Sequence, residues 1–202
     1  MATTVTIPVA NDTHMNNSVP TTNYSTAGTL QIGESNEIVA VSRSILNFDG
    51  LTAGSVPSNA IVTGATLSIY ANEDLASNAR TLSVYRLLRN PVYAEVTWNI
   101  YATGGTWNAA GGFGTSDCEQ TNIGTLALTA TETVNQYKNI PLLTAGVQGI
   151  VTGAHAFNHL LLKVDTESND RYNYDALEAT GTNYPTLTVT YELPSGTQTI
   201  II

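Results

Sequence analysis

Apolar and polar residues alternate along much of this chain in short runs, each closed by Gly, Asn, Ser or Pro. In Leu67-Ser68-Ile69-Tyr70 and in Leu187-Thr188-Val189-Thr190-Tyr191, apolar side chains occupy every second position. That period puts them on one face of a β-strand and the hydroxyls on the other. Runs of this kind predict strands near 5–9, 29–32, 38–48, 65–71, 81–88, 124–128, 134–142, 159–164 and 186–192. Phe48, Leu67, Ile69, Leu82, Val84, Val164, Leu187 and Val189 are expected to fill the core between layers. One segment departs from the pattern. Leu143 to Val151 spaces its apolar residues helically and predicts a short helix near 143–151, weakened by Gly146 and Gly149. No composition shift marks a linker. The pattern therefore predicts an all-β fold, a jelly-roll β-sandwich of about 8–10 antiparallel strands, as a single domain over 1–192.

Residues 193–202 read differently. Pro194-Ser195-Gly196 breaks the last strand, and the chain then runs to Ile200, Ile201 and Ile202. Three isoleucines exposed together would invite association. The tail is expected either to tuck onto its own sheet or to dock on, or exchange with, a neighbouring subunit through those isoleucines.

Composition narrows the function. The chain holds 202 residues, 31 of them Thr and 16 Gly, with 7 Lys and Arg against 16 Asp and Glu. Thr suits strands, and Gly, Asn and Ser suit turns. A formal charge of −9 leaves no basic stripe to displace counterions from a duplex, so nucleic acid is not an expected partner. No apolar run approaches the roughly 20 residues of a membrane helix. The opening, Met1-Ala2-Thr3-Thr4, lacks the basic and apolar regions of a secretory signal, so the chain is expected to work without that export route or to have lost its signal. The single Cys118 cannot form an internal disulfide and reads as inert.

Catalytic signatures are missing. No Glu follows His155, so the H-E-x-x-H zinc arrangement is absent, and His155 and His159 read as ordinary loop and strand residues. His14 reads as part of an Asn-rich loop. There is no G-x-S-x-G elbow, P-loop or G-x-G-x-x-G, and Gly111-Gly112-Phe113-Gly114 reads as a turn. The acidic loop Asp165-Thr166-Glu167-Ser168-Asn169-Asp170 offers oxygen ligands for a structural calcium ion, but it lacks EF-hand spacing and reads as a solvated turn. No cofactor or metal is expected, and the chain reads as a non-enzyme. Trp98, Tyr101 and Trp107 cluster about a Gly-rich loop and are the candidate residues for stacking against sugar rings. Arg43, on an otherwise apolar strand, is expected to find a carboxylate, with Asp49 a candidate.

The order of segments also resembles a known family. Asn23-Tyr24, the strand Thr29 to Gly33, the strand Ser42 to Asp49, Ala60 to Tyr70, Val84-Tyr85-Arg86, Val96-Thr97-Trp98-Asn99 and Tyr184 to Tyr191 together look like the DNRLRE-type domain family. Pro91-Val92-Tyr93 stands where that family has a W-x-E element, and Ser25 stands where it has Gly. The resemblance implies a jelly roll akin to carbohydrate-binding modules, in the form also seen in structural proteins of tailed phages. It suggests a homo-oligomeric decoration or appendage subunit on the virion exterior, contacting a capsid or tail protein of the same particle. A host glycan is a further candidate ligand. The alternative expectation is a carbohydrate-binding module of a secreted or surface protein, which would be extracellular.

Overall fold

The computed structural model describes residues 1–35 and 39–194. Its described elements, in chain order, are β1 (Ala2–Pro8), β2 (Asn11–Asn16), β3 (Thr29–Ser35), β4 (Ala40–Asn47), β5 (Ile61–Asp74), β6 (Arg80–Arg86), β7 (Ile100–Ala102), β8 (Gly105–Thr106), β9 (Gly124–Leu128), β10 (Gln136–Pro141), α1 (Thr144–Val151), β11 (His159–Val164), β12 (Arg171–Asp175) and β13 (Thr186–Glu192). The fold is all-β and sandwich-like, as the alternation predicts, and α1 falls where the helical spacing put it. Strands outnumber the expected count because polar runs also pair.

One antiparallel sheet carries nearly everything, in the order β1-β13-β5-β12-β3-β4-β11-β6-β9, with β10 also on β5 and β2 also on β4. Its two layers are joined through β5, which is long enough to serve both: it pairs with β13 from Ile61 to Ser68 and with β12 from Ala71 to Asp74. The sheet curls until β9 meets the end of β10, where Gly124 bridges to Leu142. The main core lies inside the curl and contains all eight residues expected there.

A second core lies on the other face, under the long segment between β6 and β9. Met15, Ile45, Leu87, Val96, Trp107, Cys118 and Leu161 pack there. Strand β11 is therefore buried on both faces: Leu160, Leu162 and Val164 enter the main core and Leu161 the second. An uninterrupted Leu160-Leu161-Leu162 run is what such a strand requires. Burial also pushes the Cys118 thiol up to about 12, the adjacent Asp117 charge adding to this, so the thiolate form is disfavoured at neutral pH.

Candidate ligand-binding cleft

Trp98, Tyr101 and Trp107 do come together, but their faces are engaged within the chain. Trp107 is buried in the second core and donates its indole N–H to the Thr97 carbonyl at 3.0 Å. Its ring lies 5.5 Å from that of Tyr101, over which the Arg89 guanidinium sits at 5.5 Å. The Arg43 guanidinium covers Trp98 at 5.0 Å. Ile200, Ile201 and Ile202 lie outside the described residues.

Arg43 finds Glu167 instead of Asp49, with Nε and Nη2 each 2.7 Å from a carboxylate oxygen, and donates Nη1 to the Gly111 carbonyl at 3.0 Å. Asp49 instead accepts a hydrogen bond from the Asn158 amide at 3.2 Å.

The acidic loop turns its oxygens onto protein donors. Asp165 accepts from the Thr81 and Thr166 amides. Asp170, fully buried, accepts from the Ser77 amide at 2.7 Å and the Asn78 amide at 2.8 Å and pairs with Arg80. Donors surrounding a carboxylate set up the opposite field from that of a cation site. Among the described residues no group of three or more His, Cys, Asp or Glu is arranged to hold a metal. His159 is buried between Asn90 at Nε2, 2.8 Å, and the Tyr93 hydroxyl at Nδ1, 3.3 Å, and burial lowers it to about 4. His155 lies elsewhere, against Gly149 of α1.

One cleft has no counterpart among the candidate site residues that the sequence singles out. A cleft of about 470 Å³ lies between β2, β3, β12 and the loop 17–28. His14 forms its floor on β2, a strand where the sequence predicts a loop because Asn11-Asp12-Thr13-His14-Met15-Asn16 shows no apolar alternation. The Tyr24 ring stacks on His14 at a centroid distance of 4.2 Å and 22°. His14 Nδ1 lies 3.0 Å from the Thr29 carbonyl, which can only accept, so Nδ1 carries the proton and Nε2 is an acceptor. Burial pushes His14 down to about 4, the Arg171 charge adds to this, and the ring is neutral at pH 7.

Amides hold the rest of the wall. Asn16 accepts from the Ser18 backbone at 2.8 Å and hydroxyl at 2.7 Å, and donates to Ser42 Oγ at 3.1 Å. Asn23 accepts from Ser25 and donates to the Tyr93 and Val96 carbonyls, both at 2.7 Å. The loop that carries Tyr24 is thus tied to the segment covering the second core. Gln31 on β3 and Arg171 on β12 share the strand face turned away from Ile32 and Tyr172, two main-core residues. The signal available in sequence was the Asn23-Tyr24 pair, whose Asn fixes the loop and whose Tyr lines the cleft.

No curated protein matches the chain. The resemblance to the DNRLRE-type family is overturned by the family model that does match, that of the disaggregatase related repeat domain, over residues 12–189. The motifs that suggested the former, such as Ala60 to Tyr70, are strand alternation closed by turns. They specify main-core packing, a demand that unrelated sandwich-like folds share. The matched span runs from the second residue of β2 into β13 and takes in the whole cleft, so the chain belongs to the disaggregatase related repeat domain family.

Proposed function

We propose that this domain is a non-catalytic saccharide-binding module whose site is the cleft over His14. The observation that carries the reading is the composition of that cleft: a partly exposed Tyr24 ring backed by a neutral imidazole, with Asn16, Gln31 and Ser18 beside it. Aromatic faces suit sugar C–H surfaces, and amides and hydroxyls match sugar hydroxyls without the desolvation cost of charge. A binding role is favoured over hydrolysis because no carboxylate lines the cleft, whereas glycoside cleavage uses two.

A module of this kind would act outside the cell or at its surface. The virion-exterior expectation rests on the stand-alone domain, the missing signal, the acidic low-charge composition and the Ile200–Ile202 tail, and nothing in the cleft favours it over saccharide binding. The test is titration of the full chain with a panel of oligosaccharides by calorimetry and amide NMR. Binding in the micromolar-to-millimolar range that perturbs His14 and Tyr24, and that Tyr24→Ala weakens at least tenfold with the near-UV spectrum retained, is the expected result. Saccharide binding that survives Tyr24→Ala but is lost on altering Trp98 would move the site to the second-core loop and overturn the reading.

A further inference from the structure

Each of the chain's seven cationic side chains can be assigned a partner except one. Arg43 pairs with Glu167, Arg80 with Asp170, Arg86 with Glu119, Arg89 with Asp117 and Lys138 with Glu132. Lys163 donates to the Val164 carbonyl at 2.8 Å and lies over Phe113. The guanidinium of Arg171 forms no hydrogen bond or ion pair with any described residue, and its Nε is buried. Arg171 is also the one charged residue lining the 470 Å³ cleft.

The carboxylates on and beside its strand are engaged elsewhere: Asp170 pairs with Arg80, and Asp74 accepts from the Ala76 and Glu132 amides. Glu34 accepts from the Asn169 amide at 2.9 Å, Glu73 from the Asn173 side chain at 2.6 Å and Asp175 from the Asn72 side chain at 2.6 Å. A buried guanidinium N–H without an acceptor is costly, and in a protein with this excess of acid an internal partner would be easy to supply. The neutral His14 beside it adds no competing charge and presents no anion.

We infer that the cleft takes an anionic saccharide, one whose carboxylate or sulfate ester docks on the Arg171 guanidinium while its ring lies against Tyr24. This rests on the saccharide reading above and adds the charge of the ligand. An arginine fork matches the paired oxygens of either group bidentately, and an anion on it supplies the counter-charge that Arg171 lacks within the chain.

The test uses the full chain, labelled for NMR of backbone amides and arginine Nε–H groups, titrated with glucuronate, galacturonate and glucose 6-sulfate against glucose and galactose. The expected result is that the acidic sugars bind at least tenfold more tightly than the neutral ones and shift the Arg171 Nε–H signal. Arg171→Gln should erase that preference while leaving weak neutral binding intact, and Arg171→Lys should keep part of it. If Arg171→Gln does not fold, the comparison of acidic with neutral sugars and Arg171→Lys still decide. Equal affinity for neutral and acidic sugars, lost together in Tyr24→Ala, overturns the anionic ligand but keeps the cleft as a saccharide site. Binding of neither class overturns both. A carboxylate preference over sulfate, or the reverse, identifies which anion the fork was built for.

Discussion

Arg43 on β4 and Glu167, in the loop after β11, meet fork to fork, with both nitrogen–oxygen distances at 2.7 Å, and the pair lies almost wholly out of solvent. The same guanidinium caps Trp98 and holds the Gly111 carbonyl, so one side chain ties a strand, an acidic loop and the segment over the second core. Glu167→Gln leaves the cation without its counter-charge and is expected to cost about 3 kcal/mol. Arg43→Lys keeps the charge but loses the fork and should cost less than the Gln change. Urea midpoints with unchanged slope check both, and equal midpoints for wild type and Glu167→Gln would show the pair to be energetically idle.

Leu161 and Leu162 are both inaccessible to solvent, yet they occupy different cores. Leu161→Ala and Leu162→Ala should therefore each cost about 2–5 kcal/mol. A sheet with one wet face would lose stability at only one of them, so a near-neutral Leu161→Ala would contradict the second core.

Gly33 has a positive φ of 98°, and a Cβ there would stand 2.0 Å from the Asp170 carbonyl oxygen. Gly54 also has a positive φ, of 95°, but nothing lies within 4 Å of a Cβ built there. Gly33→Ala is expected to cost well over about 2 kcal/mol, through strain and a forced separation of β3 from β12, whereas Gly54→Ala should cost only about 1 kcal/mol. Thermal unfolding of the two variants separates the effects. Because Gly33 pairs with Arg171, Gly33→Ala should also disturb the cleft.

Asp12 and the buried histidines pull the pH dependence of stability in opposite directions. Burial raises Asp12 from 3.8 to about 7, the nearby Glu178 charge adding to it, and one Asp12 oxygen has no partner. Between pH 3.8 and 7 the folded state therefore holds a proton that the unfolded state releases, and its stability falls as pH rises through that window. His14 and His159 are lowered from 6.5 to about 4, so their contribution is complete above 6.5 and is lost as pH falls toward 4. In the wild type the two trends partly cancel. Asp12→Asn removes the first, so the variant should gain most over wild type at pH 8 and lose stability more steeply between pH 7 and 5. Urea midpoints at pH 8, 7 and 5 check this, and parallel curves for the two proteins would disprove the assignment.

Much of the scaffold was legible in the order of residues alone. Alternation in Leu67-Ser68-Ile69-Tyr70 and Leu187-Thr188-Val189 marks β5 and β13, and the same pattern names the main-core residues. Helical spacing locates α1 to within one residue. Two strands that line the cleft or flank it lie outside the predicted set. Strand β2 carries Asp12, His14 and Asn16 with no apolar periodicity, whereas the short β12 does alternate, with Tyr172 and Tyr174 entering the main core between Arg171, Asn173 and Asp175, but over five residues in a stretch otherwise rich in polar and turn residues. Their burial depends on partners far along the chain, as Asp12 does on the Leu177 amide at 2.8 Å and His14 on the Thr29 carbonyl.

The sequence by itself determined the class of fold, the main core and the absence of a basic surface, because each is written in local period and composition. Only the tertiary structure decided that a second core buries Trp107, that Arg43 belongs to Glu167, and that Tyr24, His14 and Arg171 share a cleft. The physical reason is that strand periodicity reports which face is buried but not which distant strand buries it. Pairing register and the curl of the sheet bring residues 14, 24 and 171 together, and neither is encoded in any local run of the chain.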